Sequence, residues 1–600
     1  MRDLFRATWN MLFSHLFLIH LPAYIGSSHV IRLSFIVICK LLIMGNCLNS
    51  NVSSSNKDVR NPLPIDTVFK LPSPLPTWPA GGEFGSGVID LGGLQVRQLS
   101  SFKKVWEVYA GGPGNLGATF FEPSSIPDGF SMLGSYAQPN NQPLFGWVLV
   151  GKTDAADQSG DILKQPTDYN LVWANNSTQD PAYFWLPTPP DGYKPVGHVI
   201  TTSPDKPSLD KIRCVRTDFT DEPETDNLIW AGGAAKSSGN GLNVYGLRPK
   251  SRGINAQPLS VGTFIIQNTT TSDGKSDLSL SCLKNKNPSL STSPNLRQVE
   301  ALFQTYSPYI YFHPKEIYLP SSVNWYFSNG ALLYKKGEES SPIPIDPNGS
   351  NLPQGGSNDG SYWLDLPVDE QAKEKVKKGD LQSAEAYLHV KPILGATFTD
   401  IQVWLFYPFN GHAVLKLGVI DEIPLGKIGE HVGDWEHVTL RISNFDGVLY
   451  KVYFAEHSGG KWVDSCLLEF QNGNKFVGYS SLNGHATYYQ AGLFLQGASD
   501  IGIRNDTAKS DNVMDTGARY SVVAGDGLST AEPPWLNYDR EWGPKKTYEF
   551  GDEVKKVEKW LPGNLKSAFE RLVKTLPAEV YGEEGPTGPK MKNNWDGDEK

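Results

Sequence analysis

The densest chemistry in the chain lies in Glu430-His-Val-Gly-Asp-Trp-Glu-His-Val-Thr-Leu440. From Trp435 onward the residues alternate with the period of a strand. That period puts Asp434, Glu436, Val438, Leu440 and Ile442 on one face and Trp435, His437, Thr439 and Arg441 on the other. His431 stands one Val-Gly step before Asp434. Two carboxylates and an imidazole therefore converge at one end of a strand whose later residues suit a core. Oxygen donors with one nitrogen fit a hard or borderline divalent cation, Mg²⁺, Mn²⁺ or Ca²⁺. The plainer reading is a solvated strand end in which Trp435 is packing.

Two further histidines sit on turns after apolar stretches, His457 in His457-Ser-Gly-Gly460 and His485 in Asn483-Gly-His485. Both are candidates for the rim of the same site, and both also read as ordinary turn histidines. Arg504-Asn-Asp506, Asp511 and Asp515 form another oxygen-rich stretch, read here as a solvated loop. The sequence holds no Gly-x-Ser-x-Gly elbow and no Gly-x-x-x-x-Gly-Lys-Ser phosphate loop. A hydrolase built on a cation at His431, Asp434 and Glu436 would need a general base close by. The alternation turns His437 away from that role.

The His-x-x-Asp-Trp-Glu core followed by an apolar strand resembles the heptapeptide signature of necrosis-inducing plant cytolysins. In that family the His, Asp and Glu hold a divalent cation in a β-sandwich that docks on sphingolipid head groups. The resemblance implies those roles for His431, Asp434 and Glu436. Upstream, Trp404-Leu-Phe-Tyr-Pro-Phe-Asn410 resembles the family's aromatic-Pro-x-Asp strand end, so Asn410 falls where another acidic ligand is expected. An Asn ligates through its carbonyl but brings no charge, which implies a weaker site. The signature's second His is Gly433 here, and the connection from Asn410 to His431 is longer.

A second resemblance covers the chain from about residue 44 onward. It is carried by Leu71-Pro-Ser-Pro-Leu-Pro-Thr-Trp-Pro79, Gly117-Ala-Thr-Phe-Phe-Glu-Pro-Ser-Ser125, Glu532-Pro-Pro-Trp-Leu-Asn-Tyr538 and Gly582-Glu-Glu-Gly-Pro-Thr-Gly-Pro-Lys-Met591. Together these motifs resemble the plant proteins named for vacuolar protein sorting-associated protein 62, which implies a link to trafficking.

The elements that must position such a site are strands. Glycine and proline are abundant (59 and 43 of 600 residues) and charge is modest, as in a turn-rich all-β chain. A threefold repeat opens the chain: Val105-Trp106, Val172-Trp173 and Ile229-Trp230 each close an apolar strand. Each is followed by an apolar-x-Pro step (Phe121 to Pro123, Trp185 to Pro187, Leu247 to Pro249) and an apolar-Gly pair (Leu133-Gly134, Val196-Gly197, Val261-Gly262). Three such units predict a β-prism-like domain over 67–282, with the three tryptophans as core anchors. A polar linker over 283–296 leads to a β-sandwich domain over 297–600. Within it, 335–360 reads as a Gly/Ser/Pro-rich loop, 368–388 as short surface helices, and 555–576 as helix split by Pro562-Gly563.

Before the repeat, residues 1–43 read as a poor membrane span, interrupted by Asn10, His15, His20, Pro22 and His29 and then by Arg32 and Lys40. Met44-Gly-Asn-Cys47 resembles the start of a dually acylated protein, with Gly45 for myristoylation and Cys47 for palmitoylation on a tether over 44–66. Translation from Met44 would place the chain on the cytoplasmic face of membranes. Five scattered cysteines fit a reducing compartment. A net charge of −10 argues against a nucleic-acid partner.

The resulting expectation is a non-enzymatic peripheral membrane protein linked to vacuolar or vesicle trafficking. It binds lipid or glycolipid head groups through a cation at His431, Asp434, Glu436 and Asn410, with His457 and His485 at the rim. A secreted cytolysin-like protein and a metal-dependent hydrolase are the alternatives.

Overall fold

The computed structural model describes residues 61–154, 161–232, 242–268, 279–418, 420–457, 459–498, 501–545, 550–574 and 585–599. The expected leader, Gly45 and Cys47 lie outside the described residues. The described chain is mostly strand, so the all-β class holds.

Each repeat folds as a three-stranded antiparallel sheet. The first is β1 (Phe102–Val108), β2 (Ala118–Pro123) and β3 (Tyr136–Pro139). The second is β4 (Asp168–Asn175), β5 (Ala182–Thr188) and β6 (Val199–Thr201). The third is β7 (Pro223–Gly232), β8 (Leu242–Pro249) and β9 (Phe264–Asn268). In all three, the strand register skips the residue before the tryptophan: Val105, Val172 and Ile229. A bulge at that point re-aims the next side chain. The re-aimed rings meet: Trp106, Trp173 and Trp230 form a triangle with centroid distances of 6.0, 5.7 and 5.7 Å. Phe120, Phe184 and Phe264 form a second triangle beside it at 5.0, 5.5 and 6.1 Å. The apolar-Gly pairs mark the tightest approach, because a Cβ on Gly134 would stand 2.7 Å from Gly197 Cα and 2.5 Å from Thr263 Cγ2.

Helix α1 (Leu296–Tyr306), capped by Asn295 with Gln298 returning the bond, leads into β10 (Tyr309–Phe312). A six-stranded sheet follows. It is built from β11 (Ala386–Ile393), β12 (Phe398–Asn410), β13 (His431–Ser443), β14 (Leu449–Glu456), β15 (Gly459–Asp464) and, after β16 (Lys475–Ser480), β17 (Tyr520–Gly525). Its order is β15-β14-β13-β12-β11-β17, while β16 runs parallel to β10 in a second sheet. Strand β13 pairs with β12 along its length, setting Asn410 opposite His431, Tyr407 opposite Asp434, Leu405 opposite Glu436 and Asp400 opposite Arg441. Val438, Leu440 and Ile442 join Val403, Leu405, Tyr407 and the inner side of α1 in one core. Trp435 joins Phe406, Trp404, Trp535 and Trp542 in another, on the opposite face.

Helix α2 (Glu370–Lys377) takes up the first part of the 368–388 stretch, whose last residues instead start the buried β11, and α3 (Phe550–Trp560) and α4 (Gly563–Val573) are parted at Pro562. The 335–360 stretch is mostly turns and irregular chain, as its composition suggests, but it is tied down at a few points. Ile343–Pro344 and Tyr362–Asp365 flank Leu332–Lys335 in a small antiparallel sheet, and Ile345 and Leu352 are buried. The segment before the repeat also reaches the sheet side at two points. Trp78 donates its indole N–H to Asp446 O at 3.0 Å, and Ser73 and Asn474 exchange bonds of 2.8 and 2.9 Å. Around the expected linker, Cys282–Lys284 forms a strand with Thr220–Asp221 and Pro258–Leu259. One core cluster holds Leu94, Val215, Leu259 and Leu283 from the repeat side together with Ile393, Phe398, Phe445 and Tyr450 from the sheet side. No helix among the described residues is long and apolar enough to cross a membrane.

Candidate functional site

The first residues of β13 carry Asp434 and Glu436 on the face that, further along, is core. At this end the apolar cover stops, and polar side chains from two turns replace it. Asp434 Oδ2 accepts a hydrogen bond from His485 Nδ1 at 2.9 Å. His485 lies in the turn after β16, fully buried, its ring stacked on Tyr407 at 3.9 Å. Asn483 and His485 both adopt the left-handed conformation, with φ of 68° and 57°. Such backbone costs about 1–3 kcal/mol at a non-glycine residue and persists only where the surroundings impose it.

The other ring nitrogen, His485 Nε2, is buried without a hydrogen-bond partner among the described residues. The atom facing it is Glu316 Oε2, 3.8 Å away. Glu316 is itself buried and held by backbone N–H groups: Ile317 and Tyr318 at 2.8 Å each on Oε1, and Asn483 at 2.6 Å on Oε2. The His485 ring thus lies between two buried carboxyl groups, Asp434 and Glu316. Sequence reasoning missed Glu316, which follows β10 and whose bonds are to main-chain groups that no spacing reveals.

His431 shares a bond of 2.9 Å between Nδ1 and Gly433 O. A carbonyl only accepts, so Nδ1 carries the proton and Nε2 is the ring nitrogen left to face the site. Burial pushes the His431 ring below its ordinary pKa, which favours the neutral, metal-binding form. Burial also raises the Asp434 carboxyl, but the His485 bond and the nearby His431 outweigh it and keep it low. Glu436 has no such relief. Burial and then the charge of Asp434 push its carboxyl well above the usual range, with Lys592 offsetting only part. Among the described residues Glu436 has no hydrogen-bond or ion-pair partner.

The structure therefore gathers Asp434, His485 and Glu316, and sets Glu436 and His431 beside Asp434. Asn410 lies opposite His431, its amide committed to the carbonyls of Gly411 at 3.0 Å and Gly429 at 2.8 Å. His457 is exposed, and its ring lies against Gly484, where a Cβ would come within 2.8 Å of it. His437 faces the other side of the sheet, stacked on Trp404 at 4.3 Å. Gly433 has φ of 70°, and a Cβ there would stand 2.4 Å from Trp542 O. Among the described residues no three His, Cys, Asp or Glu side chains close into a metal-ligand group. The Glu436 carboxyl and His485 Nε2 are the polar groups of this cluster without a hydrogen-bond partner among the described residues.

Among solved structures, the chain is similar to GNIP1Aa from Chromobacterium piscinae, with 19% identity, 32% of this chain and 38% of that one covered, and a TM-score of 0.26. It is also similar to NLPPya in complex with glucosamine, with 13% identity, 34% and 70% covered, and a TM-score of 0.19. A third is Necrosis and Ethylene inducing Protein 2 from the causal agent of cocoa's Witches Broom disease, with 12% identity, 32% and 67% covered, and a TM-score of 0.18. Likenesses this small bear on neither fold nor activity. No curated protein matches the chain. A family model does match, and over residues 65–599 it takes in the tryptophan repeat, β13, the His485 turn and the last described segment alike. On that match the chain belongs to the vacuolar protein sorting-associated protein 62 family.

Proposed function

We propose that this protein is a non-enzymatic peripheral membrane component of vacuolar or vesicle sorting, which holds oxygen-rich lipid or glycolipid head groups through a divalent cation at the start of β13. The observation that supports this reading is Glu436, a half-buried carboxyl beside Asp434 that has no hydrogen-bond or ion-pair contact among the described residues and is held in its acid form unless a cation replaces the proton. A cation bound by Glu436, Asp434 and the Nε2 of His431 supplies the missing charge. Its open positions accept head-group hydroxyls or phosphates. Asn410, on the neighbouring strand, belongs to the same proposed ligand set, with His457 and His485 on the turns around it. Gly45 and Cys47 are the proposed acyl anchors, since two chains hold a membrane where one does so only marginally.

The test is metal analysis with flotation on vesicles containing anionic lipid and glycosphingolipid, using the full chain. Wild type is expected to carry one divalent ion per chain and to lose flotation with chelator, and Asp434→Ala/Glu436→Ala to lose both. Gly45→Ala/Cys47→Ser is expected to weaken flotation with the metal content unchanged. Equal flotation with and without chelator removes the cation from the mechanism.

A further inference from the structure

On the face of the sheet opposite Asp434, the floor is polar where a core would be apolar. It consists of His389 and Lys391 from β11, Asp400 and Gln402 from β12, and His437, Thr439 and Arg441 from β13, all buried. Residues 594–599 lie in it. Trp595 stacks on His389 with ring centroids 3.7 Å apart. Lys391 Nζ donates to the carbonyls of Asn594 at 2.8 Å and Gly597 at 3.0 Å. Asp598 accepts from Arg441, and from Arg252 Nε at 2.8 Å. Glu599 accepts from Thr439 and from Gln402 Nε2 at 2.8 Å, with His437 Nε2 at 3.4 Å. From the repeat side, Ile254 N donates to Asp596 O at 3.1 Å.

Three features set this apart from ordinary packing. The floor's own anion, Asp400, is taken by Arg441 at 2.7–2.8 Å, so Lys391 and the remaining valence of Arg441 face the cleft as surplus positive charge. The segment answers with two carboxylates and two main-chain carbonyls, the donor–acceptor pattern of peptide recognition. A tryptophan supplies the anchor. Apolar residues of similar volume bury a segment equally well; here the contact is made instead by paired charges and carbonyl acceptors.

We propose that this cleft is a binding site for an acidic peptide with a tryptophan three and four positions before its two carboxylates, filled in cis by residues 595–599. A partner's segment of the same chemistry takes the cleft by displacing it. The site is independent of the cation proposed on the other face.

The test uses the full chain and a labelled peptide of the sequence from Asn593 to Glu599, followed by anisotropy. The variant Asp598→Asn/Glu599→Gln, whose own segment is weakened, is expected to bind the peptide at least tenfold more tightly than wild type. A peptide carrying the same two changes is expected to bind that variant at least tenfold more weakly. No binding by a variant that keeps the wild-type near-ultraviolet dichroism, or binding indifferent to the peptide's carboxylates, overturns the proposal. Should the variant fold poorly, hydrogen exchange on the wild-type chain decides. Amides of 595–599 exchanging at least a hundredfold faster than those of Val438 and Leu440 support a displaceable segment, and equal protection makes the segment part of the core.

Discussion

A side chain at position 433 would collide with the protein's own backbone, since the Trp542 carbonyl occupies the place of its Cβ and φ is 70°. The space a side chain would need there is taken by the chain's own Trp542. Gly433→Ala is therefore expected to lower stability by about 1–3 kcal/mol, read from the midpoint of urea unfolding. Gly433→His is expected to lose at least as much without gaining metal affinity. At this scale the sequence was legible wherever a strand period applied: Asp434 and Glu436 do share a face, and His437 does turn away. Glu316 was not legible. A carboxylate satisfied by backbone N–H groups leaves no pattern of side-chain types, and its meeting with His485 depends on β10 and β16 lying side by side.

Among elements, the tryptophan repeat shows how a short motif fixes a sheet. The residue before each tryptophan is a β-branched Val or Ile without a partner in register, and the bulge it makes turns the indole toward the other two. Trp230 is almost fully buried within that triangle, and its indole N–H reaches Ala110 O at 2.9 Å across the repeat. Trp230→Ala is expected to cost about 3–5 kcal/mol, read by thermal unfolding. Loosening should extend to Trp106 and Trp173, visible as a change in near-ultraviolet dichroism that a surface change such as Lys103→Ala does not produce. The tryptophans could be read as anchors because aromatic residues recurring at strand ends have few other uses. The 335–360 stretch is loop-like as its Gly, Ser and Pro content signals, and what composition left out is its anchoring by the short strand Ile343–Pro344. Its order comes from Ile345 and Leu352 inserting among the aromatic residues of the second core, which local composition does not encode.

Taken whole, the chain shows a wall common to its repeats and its long sheet. Leu259 and Leu283 pack in one cluster with Ile393, Phe398 and Tyr450, while Trp78 and Arg252 tie the two sides at the surface. Thermal unfolding of residues 61–600 is expected to show one calorimetric transition, with the calorimetric and van't Hoff enthalpies in agreement. Two separated transitions would mean that the shared wall does not couple them. The Ser/Pro-rich stretch near Cys282 suggested a joint because its partners, Thr220–Asp221 and Pro258–Leu259, are far away along the chain. That common wall also governs how the protein can be handled. Cutting between Lys284 and Leu296 would leave Ile393, Phe398, Phe445 and Tyr450 facing water on one fragment and Leu94, Val215 and Leu259 on the other. Each piece would then carry a sticky surface inviting aggregation, so point substitution in the intact chain is the way to dissect it.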